Sequence, residues 1–305
     1  MTNKLVSMAE AASSIPNGSH IALGGFAITR CGIAFVHEMI RQNKKNLIVS
    51  QCIIGMETDL LVGAGCVSHL IYGGGSLDHF GLCEANNRAI GRKTITIEEY
   101  SSLAICFKYL AGALGLPFLP INSVMGSDMH KNLARDPGKK LVAEATCPFT
   151  GEKLLYLRAL NPDVAIIHVN KSDEEGNAVI LGPKWDNPEA AKSSKRVILI
   201  SEEIVPSHDM VKVADSVFIP AFRVDKVVHA PWGAYPSAVY HVYDYDAEHI
   251  AYYAEQNKDE TKFKKYVDDY ILGVKDHWEY LEKWGGIRKL QGLKADAYLG
   301  YSRRG

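Results

Sequence analysis

The chain has 305 residues, 47% hydrophobic and 23% charged, enough to bury the core of one large or two modest globular domains. Its 34 lysines and arginines balance 35 aspartates and glutamates, so the net charge is -1 and no single-sign field is present to attract nucleic acid or an anionic membrane. No apolar run approaches the roughly 20 residues a membrane helix needs, and the opening MTNKLVSMAEAASS lacks a signal peptide's apolar centre, so a cytoplasmic protein is expected.

From there the sequence alternates. HIALGG reads as a strand, and IAFVHEMIRQNKKN as a helix with Ile33, Val36, Met39 and Ile40 at helical spacing. NLIVSQCII is a second strand and METDLLVGAG a short helix closed by Gly65; VSHLIYGGG is a third strand and HFGLCEANNRAIGRK a third helix. TITIEEY and SSLAICFKYLAGALG make a fourth pair, with Ser101 or Ser102 as helix N-cap. Strands that are apolar on both faces and separated by helices predict an open, mostly parallel sheet covered on both sides, an α/β fold.

After LPFLPI, the polar stretch from Asn122 to Gly151 is too long for an ordinary connection and reads as a functional loop or an excursion. DVAIIHVN and NAVILG then form two strands around KSDEEG, and RVILISEEI and DKVVHAP are further strands. From Asp246 to Trp284 the pattern is helical, with Phe263, Tyr266, Val267 and Tyr270 on one stripe and Gly285-Gly286 as the stop. The expected organisation is an α/β domain over 1–245 and a C-terminal helical extension over 246–305 packed on it.

Ligands of open α/β sheets collect at the carboxyl ends of the strands, and three strands here end in unusual residues: GGF at 24–26, YGGGS at 72–76 and EEYSS at 98–102. Glycine backbone admits a ligand closely and leaves N–H groups for a carbonyl oxygen or carboxylate, while Arg30, Ser76 and Ser102 offer polar side chains. A tight turn is the plainer reading of Gly24-Gly25, and a solvated pair before a helix that of Glu98-Glu99. The phosphate-loop, nucleophile-elbow and zinc-protease signatures are missing, and GAGCVS lacks the third glycine of a dinucleotide site. The six cysteines stand 14 to 41 residues apart, without C-x-x-C or a histidine at zinc spacing, and are expected as reduced thiols with no metal. HVYDYDAEH has no helical ligand spacing and reads as a turn with an aspartate helix cap.

Several of these segments, in this order, carry a resemblance: NGSHIALGGFAITR, EEYSSLAICFKYLAGALGLPFLP, MGSDM, NPDVAIIHVN, ISEEIV, and VVHAPWGAYPS with VYDYD. Together they resemble the α subunit of the family I CoA-transferases, with the glutaconate branch the nearer match, from residue 3 to about 292. The family's first signature continues after GGF to Gly-x-Pro, whereas AITRCGI supplies Arg30, a displaced Gly32 and no proline. The Ser-Glu-Asn-Gly motif that carries the family's catalytic glutamate is missing; ISEEI has Ser201-Glu202 followed by Glu203-Ile204.

The resemblance implies a NagB/RpiA/CoA-transferase-like fold and a β-subunit partner, as a heterodimer, α2β2 or a larger assembly. The partner's carboxylate would attack an acyl-CoA thioester, pass through an acyl anhydride to a glutamyl-CoA thioester, and hand CoA to an acceptor acid. Coenzyme A would be a substrate, with no further cofactor. This chain would contribute a substrate-binding set of Gly24, Gly25, Phe26, Arg30, Gly74, Gly75, Ser76, Ser102 and Gly126, with GGF admitting a ligand, and Glu99 as candidate catalytic residue. A related branch, the steroid-ring hydrolases, uses an α-subunit glutamate whose position falls at Ser102 or Glu99 here. A non-catalytic acyl-CoA or sugar-phosphate binding module is the alternative from another class.

Overall fold

The computed structural model describes residues 3–135, 139–296 and 298–302. Helix α1 (Met8–Ser13) leads to β1 (His20–Leu23), α2 (Ile33–Arg41), β2 (Leu47–Gln51), α3 (Met56–Gly63), β3 (Val67–Tyr72), α4 (Glu84–Gly91), β4 (Thr96–Glu99) and α5 (Ser102–Ala113). The predicted alternation holds, with one shorter helix. Asp78–Phe80 form a separate turn and Gly81, at φ +135°, breaks the chain before α4. Ser101 is the N-cap of α5, its Oγ accepting from Ala104 N at 3.2 Å.

The stretch after β5 (Phe118–Ile121) is an excursion: α6 (Asp128–Ala134), β6 (Val142–Thr146) and β7 (Lys153–Arg158), with the three strands forming an antiparallel sheet β5-β7-β6. The main chain path resumes in β8 (Val164–Ser172), β9 (Ala178–Val179), α7 (Asn187–Ser193), β10 (Arg196–Ile204), α8 (Ser207–Lys212), β11 (Val217–Ile219) and β12 (Lys226–His229). The hairpin β8-β9 turns where Asp173 Oδ1 accepts from the amides of Glu175, Gly176 and Asn177, an Asx-type turn that KSDEEG encodes. The parallel strands run in the order β12-β10-β8-β1-β2-β3-β4, and β9 and β11 extend the sheet antiparallel beyond β8, nine strands in all among the described residues.

Strand alternation sorts the apolar residues to two sides. Ile21, Leu23, Ile166, Ile198 and Ile200 join a core with Phe35 and Val36 of α2, while Ala22, Ala165, Ile167, Val197 and Leu199 join a second core with Ile105 and Tyr109 of α5. The sheet is therefore covered by helices on both faces, as the apolar strands predict.

The C-terminal segment forms α9 (Ala247–Asn257), α10 (Glu260–Val267), a π-turn at Asp268–Leu272, α11 (His277–Lys283) and α12 (Gly286–Leu293). Asp246 caps α9 as VYDYDAEH predicts, its Oδ1 accepting from Glu248 N and His249 N. Gly285-Gly286 is a bend instead of a stop: Gly285 at φ +107° turns the chain and α12 follows. Tyr253, Phe263, Tyr266 and Ile271 share the first core with α2 and β1. Asp59, buried in α3, accepts from Tyr253 Oη at 2.7 Å, from Asn86 N at 2.8 Å and from the Asn257 amide.

Candidate active site at the strand ends

The carboxyl ends of β1, β2, β3 and β4 meet the N-termini of α5 and α7. Gly73 sits at the junction: a Cβ there would come within 2.7 Å of Cys52 O and 2.8 Å of Ser102 Cα. Its amide donates to Cys52 O at 3.0 Å, and Ser102 Oγ donates to Gly73 O at 3.1 Å. Ser102 thus closes β3 onto α5. The Gly74 carbonyl accepts from Ile54 N at 3.0 Å, while among the described residues the Gly74 and Gly75 amides donate no hydrogen bond. Gly75 is exposed and Ser76 half-buried, with Ser76 Oγ accepting from Asp78 N at 3.0 Å.

The GGF turn is filled differently from the sequence expectation. The Gly25 amide donates to Asn187 Oδ1 at 3.2 Å, and a Cβ on Gly24 would lie 2.9 Å from the same oxygen. Gly25 has φ +94° and a Cβ there would be 2.8 Å from Arg30 O, so the turn demands glycine at that position. What approaches these two glycines closely is the chain's own Asn187 and Arg30 backbone, and their amides are engaged: Gly24 N donates to Ile166 O at 2.9 Å. Phe26 stacks on Trp185 with ring centroids 4.7 Å apart.

Arg30, expected to meet a ligand, is instead fully buried. Its guanidinium lies 4.6 Å from the Trp185 ring centroid and Nη2 donates to Pro183 O at 2.6 Å. Burial lowers it to about 10. It clamps the 183–187 segment that carries Asn187 to Gly25. Gly126, at φ +77°, stands in the exposed turn before α6, with open space where a Cβ would be.

Period-2 alternation separates the two glutamates of β4. Glu99, at the strand end, is exposed. Glu98 points into a cleft of about 520 Å³ shared with His20, His69, Lys108, Arg158 and Asn161. His69 Nε2 lies 3.1 Å from Glu98 Oε1, and Tyr100 Oη donates to Oε2 at 2.9 Å. Burial pushes the Glu98 carboxyl up, but the hydrogen bonds from His69 and Tyr100 outweigh it and hold the group below the usual range. Lys108, buried and lowered to about 8 by desolvation, donates to Tyr100 Oη at 3.2 Å and Arg158 O at 2.9 Å.

A third group gathers behind Gly73: Cys52 at the end of β2, Cys106 one turn into α5 and Asp186 before α7, with the two sulfurs 3.7 Å apart. Burial pushes the Asp186 carboxyl up to about 7. All six cysteines are free thiols, as expected; four are buried and Cys106 and Cys147 half-buried. Sequence reading missed Trp185, Asp186 and Asn187, although Asp-Asn-Pro is a helix-start signal that places a polar group at a helix N-terminus.

Residues 5–230 match the family model for coenzyme A transferase. The chain belongs to the coenzyme A transferase family. It is 34% identical to one of the subunits of glutaconate CoA-transferase from Acidaminococcus fermentans, over 98% of this chain and 97% of that one. It is 33% identical to one of the subunits of 3-oxoadipate CoA-transferase from Pseudomonas knackmussii, over 92% and 98% respectively. A longer uncharacterised protein of Archaeoglobus fulgidus is 36% identical over 96% of this chain, which spans 65% of that relative. In structure, this CoA-transferase chain superposes on the Acidaminococcus fermentans glutaconate coenzyme A-transferase with a TM-score of 0.93 at 32% identity, covering 99% of this chain and 98% of the other. The family resemblance of the sequence segments and the mostly parallel α/β fold are thereby borne out. No helix among the described residues is long and apolar enough to cross a membrane.

Proposed function

We propose that this chain is the α subunit of a heteromeric, cytoplasmic CoA-transferase that moves CoA from an acyl-CoA to a carboxylic or dicarboxylic acid. The nucleophilic glutamate is carried by the β subunit, and CoA is a substrate, not a resident cofactor. What supports this most is the near full-length likeness to single subunits of two CoA-transferases in a chain without Ser-Glu-Asn-Gly. The partner's carboxylate adds to the thioester carbonyl and expels CoA thiolate, leaving an acyl anhydride. The thiolate then attacks the glutamyl carbonyl, freeing the first acid and leaving a glutamyl-CoA thioester. The acceptor acid reverses both steps.

This chain's contribution is the β3–α5 junction. The unengaged amides of Gly74 and Gly75 can donate to an acyl oxygen that gains charge during each addition, and one such donor is typically worth about 10²- to 10³-fold in kcat. Gly73 and Ser102 hold that loop, and Asn187, clamped by Arg30, holds the neighbouring β1 turn. Leu103, beside Ser102, is half exposed, an apolar contact suited to a partner subunit closing the site.

The test is to purify the chain alone and together with a candidate β subunit that carries the Ser-Glu-Asn-Gly motif, and to assay CoA exchange between acetyl-CoA and dicarboxylates. The expected result is a folded, inactive chain alone and turnover for the pair, with a borohydride-trapped adduct on the β subunit. Turnover by this chain alone would refute the split site.

A further inference from the structure

The Cys52, Cys106 and Asp186 side chains converge from three elements distant in sequence, and their ligand atoms all lie within 4.8 Å of one another. We propose that they form a binding site for a soft divalent cation, zinc or cadmium, behind the β3–α5 junction. This is independent of the transferase reading, because it concerns side chains to which that reading gives no role.

The sulfur spacing matches that of a zinc dithiolate. Two thiolates on a tetrahedral zinc ion, at about 2.3 Å each, stand about 3.8 Å apart. The Cys52 and Cys106 sulfurs are 3.7 Å apart, far beyond the roughly 2.05 Å of a disulfide. Two sulfurs and a carboxylate oxygen make a three-ligand set, and the fourth tetrahedral position remains for water or an added ligand.

The surroundings hold the donors in place. Cys52 and Asp186 are buried at 3% and 5% exposure, so the donors are held by packing on β2 and before α7 and need little ordering on binding. The Asp186 carboxyl takes its hydrogen bonds locally, from its own backbone amide and from Asn187 Nδ2 at 3.5 Å, weak partners for a buried carboxyl. The Cys52 thiol also donates to Ser102 O at 3.5 Å. The two thiols share a hydrogen bond between their sulfurs. A cation replaces the shared proton: binding releases the thiol protons and leaves sulfur–metal bonds in their place, with no change of oxidation state. Cys106 is half-buried, which gives the ion an approach. The zinc-spacing rule misses the site because its ligands are 54 and 80 residues apart in the chain.

The probe is cadmium, titrated into the reduced full chain while the cadmium–thiolate charge-transfer absorbance is followed in the ultraviolet. The expected result is a band saturating at about one equivalent per chain, and zinc that displaces cadmium and raises the melting temperature. Cys52→Ser and Cys106→Ser should each lose the band, while Cys147→Ser keeps it. Asp186→Asn should weaken binding by roughly tenfold or more. Because a serine variant can fail for folding reasons, the unmodified chain gives a second reading: zinc should protect Cys106 from iodoacetamide, mapped by peptide mass. No band in the reduced chain, a band that survives in the Cys52→Ser/Cys106→Ser double variant, or alkylation of Cys106 that zinc does not slow would overturn the proposal.

Discussion

Lys108 keeps an ammonium group inside the fold, with Tyr100 Oη and Arg158 O as its acceptors. Its folded value of about 8 lies below the ordinary 10.5. Between those two values the unfolded chain binds more protons than the folded one, so unfolding free energy rises with pH across that window, by at most about 3 kcal/mol from this group. Urea denaturation at pH 7.5 and 10 should show a smaller rise for Lys108→Met than for the wild type; an equal rise would mean the ammonium is already solvated. Glu98 and Glu99 call for a chemical test. Glu98 is committed to His69 and Tyr100, and Glu99 is exposed at the strand end. In the complex with its β subunit, Glu98→Gln and Glu99→Gln should both still load CoA as a thioester that borohydride traps on the partner. Loss of the adduct in Glu99→Gln alone, with a rate loss of about 10²- to 10⁴-fold, would favour a ring-opening hydrolase that uses this residue as base. The opposed faces of the two glutamates are readable from the period of two. The inward turn of Lys108 is not, because a lysine on a helix gives no sign of whether its head reaches an internal acceptor or water.

At the level of elements, the strand-end glycines divide by what surrounds them. A Cβ on Gly75 would lie 2.1 Å from Ile54 Cγ1 and 2.4 Å from Ile54 O, and one on Gly73 would meet Cys52 O. Gly73→Ala and Gly75→Ala should therefore each destabilise the chain, by about 1–3 kcal/mol, before any effect on a ligand is measured. Gly75→Val, with a larger side chain at the same contact, should melt early as well. Gly126→Ala meets no atom and should cost only the roughly 1–2 kcal/mol of its left-handed backbone, so a larger loss of CoA exchange than of melting temperature would place Gly126 in the site. Parallel strands and the helices between them are legible because both faces are apolar and the periods differ. The helix break at Gly81 and the restart at Gly286 are not, since a glycine reads alike whether it ends a helix, bends one or joins two. The contact of Asn187 with Gly25 spans 162 residues and no local pattern encodes it.

Over the whole molecule, the C-terminal helices are tied to helix α3 through polar groups as well as through the shared core. Asn257 is buried with its amide on the Asp59 carboxylate, so Asn257→Ala leaves that carboxylate short of a donor and should cost about 1–3 kcal/mol in urea unfolding, by a single transition. Two separate transitions would mean the helices unfold as an independent unit. The opposite end of the chain performs a different service. Lys4 O accepts from Val227 N and Val6 N donates to Val227 O, both at 2.9 Å, so the segment before α1 lies along β12 as an added parallel neighbour. Without it, Val227 would present an unsatisfied amide and carbonyl on the outermost strand, an open template for another chain. Removing residues 3–7 should leave a protein that still folds but self-associates, with light scattering that climbs with concentration, while the intact chain scatters in proportion to its mass. The few residues ahead of the first helix would then serve as a guard against stacking between copies, a duty separate from any chemistry at the strand ends.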